Sequence, residues 1–110
     1  MPQVARRNSK PSPTGSAKPI DFNRLAYRLK QISDPVRIRI LMLLGAKELS
    51  ALELSAELGI SPAALAYHLA HLRAARVLMP GRAGKRVEYS LTEEGREMLG
   101  AVGRLPVGKR

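Results

Sequence analysis

Residues 50–75 read SALELSAELGISPAALAYHLAHLRAA, and two helices joined by a tight turn account for every signal in that stretch. Ser50 followed by Glu53 fits a capping box, which starts a short helix. Gly59 ends it, because glycine tolerates the left-handed backbone a sharp stop requires. Ser61-Pro62 then places a cap before a proline at the first helical position. The second helix is expected to run to about Ala75, and Leu58-Gly59-Ile60-Ser61 matches the turn of a helix-turn-helix.

Upstream, Asp21 is a plausible cap for a first helix. Phe22, Leu25, Ala26, Leu29 and Ile32 recur there at helical spacing, leaving Arg24, Arg28 and Lys30 outside. Asp34-Pro35 opens a second helix that continues as VRIRILMLL and stops at Gly45. Its apolar residues (Val36, Ile38, Ile40, Leu41, Met42, Leu43 and Leu44) point all ways round, which predicts a central, buried helix. Downstream the period changes. Val77-Leu78-Met79, a turn around Ala83-Gly84 and Val87-Glu88-Tyr89-Ser90-Leu91 predict a β-hairpin, with Pro80 marking an edge strand or a bulge. Thr92 caps a last helix, Glu93 to about Val102, which Gly95 should weaken slightly.

The expected fold is therefore mainly α with a small β-hairpin: a winged helix-turn-helix of order α-α-α-α-β-β-α. A generic small helical bundle with a hairpin is the competing reading, and the agreement of caps with apolar positions at every step argues against it. Residues 1–19 and 103–110 read as flexible basic tails around a domain at 20–102, because neither end holds enough apolar surface to offset ordering.

The 110 residues carry 19 Lys+Arg against 9 Asp+Glu and no cysteine. One compact domain is the limit at that length. Disulfides, thiolate metal sites and cysteine nucleophiles are excluded. No run reaches the ~20 apolar residues of a membrane span, and MPQVARRNSKPSPTGSAKP lacks the apolar centre of a secretory signal. Seven of the ten net positive charges sit in residues 1–24 and 101–110, so the sequence predicts a near-neutral domain with basic arms of the kind that attract polyanions. A cytoplasmic, nucleoid-associated protein is expected, and one that is not an enzyme. There is no dense carboxylate cluster and no Gly-rich phosphate loop, and the two histidines lack a convergent partner.

The set Asp34-Pro35-x-Arg37-x-x-Ile40-Leu41, Leu54 through Leu58-Gly59-Ile60-Ser61, Leu65, His68-Leu69, Leu72 and Val77 resembles the ArsR-type winged-helix transcription regulators. The resemblance runs from about Leu25 to Thr92. The ending Tyr89-Ser90-Leu91-Thr92-Glu93-Glu94-Gly95-Arg96 is also common in MarR- and PadR-like winged helices. It implies a homodimer joined through its first and last helices, with the helix after the turn in the major groove of double-stranded DNA and the wing on the backbone or minor groove. Many members of the family sense metals. Here the family's cysteine pair would fall near Leu52 and Leu54, where no thiol stands, and the last helix has no His. Neither metal nor cofactor is expected.

On a helical wheel of residues 62–75, Leu65, Leu69 and Leu72 face the core. Ala63, Tyr67, Ala70 and Ala74 lie opposite, with Ala64 and His71 to one side and His68 and Arg73 at the boundary. Alanine touches a thymine methyl but offers no side-chain hydrogen bond. Base readout thus rests on Tyr67, His68 and His71, with Ala63 and Ala64 in van der Waals contact and Ser61 and the helix N-terminus on a phosphate. Each has a plainer role open to it: Tyr67 as a cover for the core edge, His68 as a structural hydrogen-bonding group, His71 as a solvated residue. A metal shared by His68 and His71 lacks a third ligand. At the wing, Arg82, Lys85 and Arg86 gather three cations at a protruding tip suited to phosphates, the alternative being a tip kept soluble by charge. Arg73 adds a further cation at the helix end. Arg37 and Arg39 are expected to be structural or solvated. A sequence-specific DNA-binding regulator is the leading reading. A non-specific nucleic-acid binder and a winged helix used for protein contact are the alternatives.

Overall fold

The computed structural model describes residues 19–107. In chain order the elements are α1 (Phe22–Ile32), α2 (Pro35–Ala46), β1 (Leu49–Ser50), α3 (Ala51–Leu58), α4 (Pro62–Ala74), β2 (Leu78–Ala83), β3 (Arg86–Leu91) and α5 (Glu93–Val102). The expected tails fall mostly outside these residues; Gly103 to Val107 follow α5 as turns, a bend and irregular chain.

The caps form where the sequence places them. Asp21 accepts from Arg24 N, and Asp34 accepts from Val36 N and Arg37 N. Ser50 and Glu53 close a complete capping box on α3. Gly59 follows with φ of 68°, the left-handed stop. Ser61 caps α4 through Ala64 N, and Thr92 caps α5 through Gly95 N. Each cap satisfies donors that the first helical turn leaves unpaired.

The expected winged fold with its hairpin forms, and it differs from expectation in three details. The hairpin is part of a three-stranded antiparallel sheet of order β1-β3-β2, because Leu49 and Ser50 pair with Tyr89 and Glu88. A two-residue strand is too short to carry an alternation pattern, so nothing in the sequence marked it. β2 is an edge strand, as Pro80 requires, and pairs Pro80 with Tyr89. Next, α2 is not buried all round. Ile40, Leu41 and Leu44 are enclosed, yet Met42 is 56% exposed and the buried side chain at its start is Arg37, at 8%. Finally, of the apolar residues on α1 only Ile32 is buried, and Phe22 is 71% exposed. Arg28, expected outside, is half-buried and donates from Nε to Ala75 O at 3.0 Å.

The core is a single cluster built by Ile40, Leu41, Leu44, Leu54, Leu65, Leu72, Val77 and Leu78. Around it runs a seam that closes the domain. After α4, Arg76 takes a left-handed backbone with φ of 59°, and Val77 N bonds Leu72 O at 3.0 Å, which is a Schellman stop. The Thr92 hydroxyl lies 2.7 Å from Arg76 O and 3.1 Å from Val77 O. Gly95 is buried here, and a Cβ on it would overlap Val77 O. Close approach of α5 to the β2 entry therefore accounts for this glycine, beyond its low helix propensity. Gly95→Ala is expected to cost about 1–3 kcal/mol, the range of overpacking in a closed site, checked by urea unfolding against the exposed control Gly100→Ala, which meets no neighbour.

Candidate nucleic-acid interface

Helix α4 has two flanks, and the fold treats them differently. The flank toward α1 and α2 carries His68 and His71. Arg37 Nε donates to His68 Nδ1 at 3.0 Å, and its NH1 donates to Gln31 O at 3.0 Å and approaches Gln31 Oε1 at 3.4 Å. Since arginine has no acceptor, His68 Nδ1 must carry the lone pair and the neutral ring keeps its proton on Nε2. His71 Nδ1 lies 3.0 Å from Gln31 Oε1, an acceptor, so this ring donates. Tyr67 stands on the same side, its ring edge-on to His68 and His71 at 5.5 and 4.7 Å, with the Arg37 guanidinium 5.6 Å from its centroid.

The two histidines are thus drawn into a structural network: His68 takes the hydrogen-bonding role open to it, and His71 joins through Gln31. Each spends its Nδ1 within the domain. Tyr67 stays exposed, but it sits with the histidines and not on the wing side. Arg37 is structural, as one of its two expected roles had it. Truncating it strands His68 and the Gln31 carbonyl together. Arg37→Ala is expected to cost about 2–3 kcal/mol, in the range for a charge-assisted hydrogen-bonding group. Arg37→Lys should recover little of that, because an ammonium cannot span both partners. Chemical denaturation of the variants checks this.

The opposite flank faces the sheet across a groove of about 770 Å³. Ala51, Leu52 and Ser55 of α3, Pro62, Ala66, Ala70, Arg73 and Ala74 of α4, and Tyr89 of β3 line it. Of the expected site residues only Arg73 lies in this groove. Ser61, Ala63 and Ala64 sit at the exposed N-terminal end of α4, where the Ser61 hydroxyl accepts from Ala64 N at 3.1 Å. Leu52, Ala66, Ala70 and Tyr89 were not among the expected residues. The wheel placed Ala70 outward, but which outward flank meets the wing depends on the return of β3.

At the wing the cations separate. Arg82 and Lys85 are exposed and join no ion pair among the described residues. Arg86 pairs with Glu53 at 2.9 Å and with Glu88 at 3.3 Å. Strand alternation puts Arg86 and Glu88 on one face, and β1 pairing draws that face over the start of α3. The Ser50 backbone N–H, which donates to Glu53, and then the Arg86 guanidinium hold the Glu53 carboxyl below the usual glutamate range. A lowered folded-state pKa means that this contribution is complete above the unfolded value and lost as pH falls through the folded one. Glu53→Gln should therefore lower the melting temperature at pH 7, and the difference from wild type should fade below about pH 4. Thermal melts across pH check the sign.

Residues 32–80 match a family described as a helix-turn-helix domain. HlyU from Vibrio cholerae is 32% identical over 74% of this chain and 90% of its own, with a TM-score of 0.68. The transcriptional repressor BigR from Xylella fastidiosa is 32% identical over 73% and 80%, with a TM-score of 0.67. The chain belongs to the ArsR-type winged helix-turn-helix transcription regulators. A transcriptional repressor SmtB homolog from Synechocystis is 31% identical over 70 residues, 64% of this chain and 53% of the relative. The chain thus spans about half the length of that curated relative. In this ArsR-type chain, α3 and α4 are the two helices of the helix-turn-helix, and β2 with β3 form its wing.

Proposed function

We propose that this chain binds duplex DNA as a homodimeric transcription regulator, with α4 in the major groove and the wing on the backbone. The observation that carries the reading is the arrangement around α4. Its wing-side flank is short-chained and open, Arg73 lines it, and Arg82 and Lys85 are exposed on the wing, all three with no carboxylate partner among the described residues. Short side chains let a helix approach base edges closely, and free cations on a ridge beside it meet phosphates. The histidines contribute by holding α4 rather than by reading bases. Arg86 contributes by holding the wing to α3.

A second copy of the chain is the partner that suits α1 and the end of α5. Phe22, Leu25 and Leu29 lie exposed on α1, and Leu105 and Val107 are exposed just beyond α5. An apolar face of this kind on a small domain is covered by self-association through the first and last helices. A two-fold dimer then presents two α4 helices to half-sites about one helical turn apart. The reading is of a binding protein that acts at the nucleoid, without a catalytic step or a resident metal.

Selection of genomic fragments by the full chain at ~0.15 M salt, where weak surface attraction is screened, should enrich a short inverted repeat. Uniform recovery of all fragments would replace this reading with general polyanion binding. On the enriched duplex, Arg82→Glu with Lys85→Glu should weaken binding and flatten its salt dependence by about one unit of log–log slope per lost phosphate contact. Unchanged salt dependence would take the wing off the DNA.

A further inference from the structure

The groove between α3, α4 and β3 has a chemical character that narrows what a DNA-bound α4 can recognise. Its lining is apolar on three sides: Leu52 from α3, Ala66 and Ala70 from α4, and the Tyr89 ring from β3. Leu52 is 78% exposed, on a helix whose other leucines, Leu54 and Leu58, are buried. The Ser55 and Glu53 side chains nearby are already engaged. Ser55 donates its one hydroxyl hydrogen to Ile60 O. Glu53 accepts from Ser50 N and pairs with Arg86. Of the charged side chains, Arg73 alone lines the groove.

We infer that this groove selects thymine methyl groups, and that Leu52, Ala66 and Ala70 are specificity-determining residues for a thymine-bearing half-site. The inference rests on the DNA-binding reading above and adds the chemistry by which that surface discriminates. Two features favour a base edge as the occupant. The groove reaches Pro62 at the exposed N-terminal end of α4 and holds the Arg73 cation, and Arg82 and Lys85 are exposed on the wing of the same domain. A duplex offers a complementary pattern of anionic phosphates outside and, in the major groove, one apolar group per A·T pair, the thymine C5-methyl. Adenine, guanine and cytosine edges present only donors and acceptors there, which the Leu52, Ala66 and Ala70 side chains cannot match and would desolvate without compensation. Discrimination then comes from apolar fit and from the penalty on unmatched polar edges.

Replacing thymidine by deoxyuridine removes the methyl and leaves base pairing and every hydrogen-bonding group intact. The experiment uses the full chain and a duplex enriched from a random-sequence pool, with each thymine of one half-site replaced singly. One or more positions should weaken binding about fourfold per buried methyl. In Leu52→Ser, an exposed site whose substitution spares the core, the penalty at the matching position should shrink toward none. Ala70→Ser should do the same at its own position. Specific binding with no deoxyuridine penalty at any position would overturn the inference and leave the DNA-binding reading standing, as would penalties that persist unchanged in both variants. A pool that yields no enriched sequence would overturn the parent reading, and this inference with it.

Discussion

The buried guanidinium of Arg37 is the constraint on which the placement of α4 depends. A charge at 8% exposure persists in a core this small only where hydrogen bonds replace its water. Arg37 finds them on two neighbouring helices, at His68 of α4 and at Gln31 of α1. Hydrophobic contact through Leu65, Leu69 and Leu72 brings α4 to the core but is non-directional. The bonds to His68 and His71, with Arg28 on the Ala75 carbonyl, add the directional part. They set the rotation of α4 about its axis, and that rotation decides which flank faces the wing.

Rotation in turn explains why the flank toward α1 and α2 holds the histidines while the groove flank is alanine. The division of labour also runs through the wing. Arg86 and Glu53 tie β3 to the N-terminus of α3, using the same carboxylate that closes the capping box. Local helix initiation and wing placement thus share one acid. Arg82 and Lys85, beyond that tie, join no ion pair among the described residues.

Much of the fold was legible because its signals are local. Asp34-Pro35, Ser50 with Glu53, Gly59, Ser61-Pro62 and Thr92 each act within one turn of chain, so the residues alone locate the helix ends. Pro80 lacks a donor whatever surrounds it, and that places β2 at an edge. Apolar spacing on α4 named its buried stripe correctly. The same spacing was less reliable on α1, where Phe22, Leu25 and Leu29 look like core residues yet remain exposed, because periodicity records an apolar face without saying what covers it.

By itself, then, the sequence determined the helix boundaries, the helix-turn-helix, the presence of a wing and the basic balance, all through interactions spanning a few residues. Tertiary structure alone decided the rest. Gln31 meets His71 across 40 positions of chain, Arg37 meets His68 across 31, and Arg86 meets Glu53 only because β1 pairs with β3. It also decided that Gly95 must lack a side chain beside Val77, and that Leu52, Ala66, Ala70 and Tyr89 share one groove. The physical reason is common to all of these. Hydrogen bonds, ion pairs and steric contacts act over a few ångströms, and only the folded path of the chain brings such distant positions within that range.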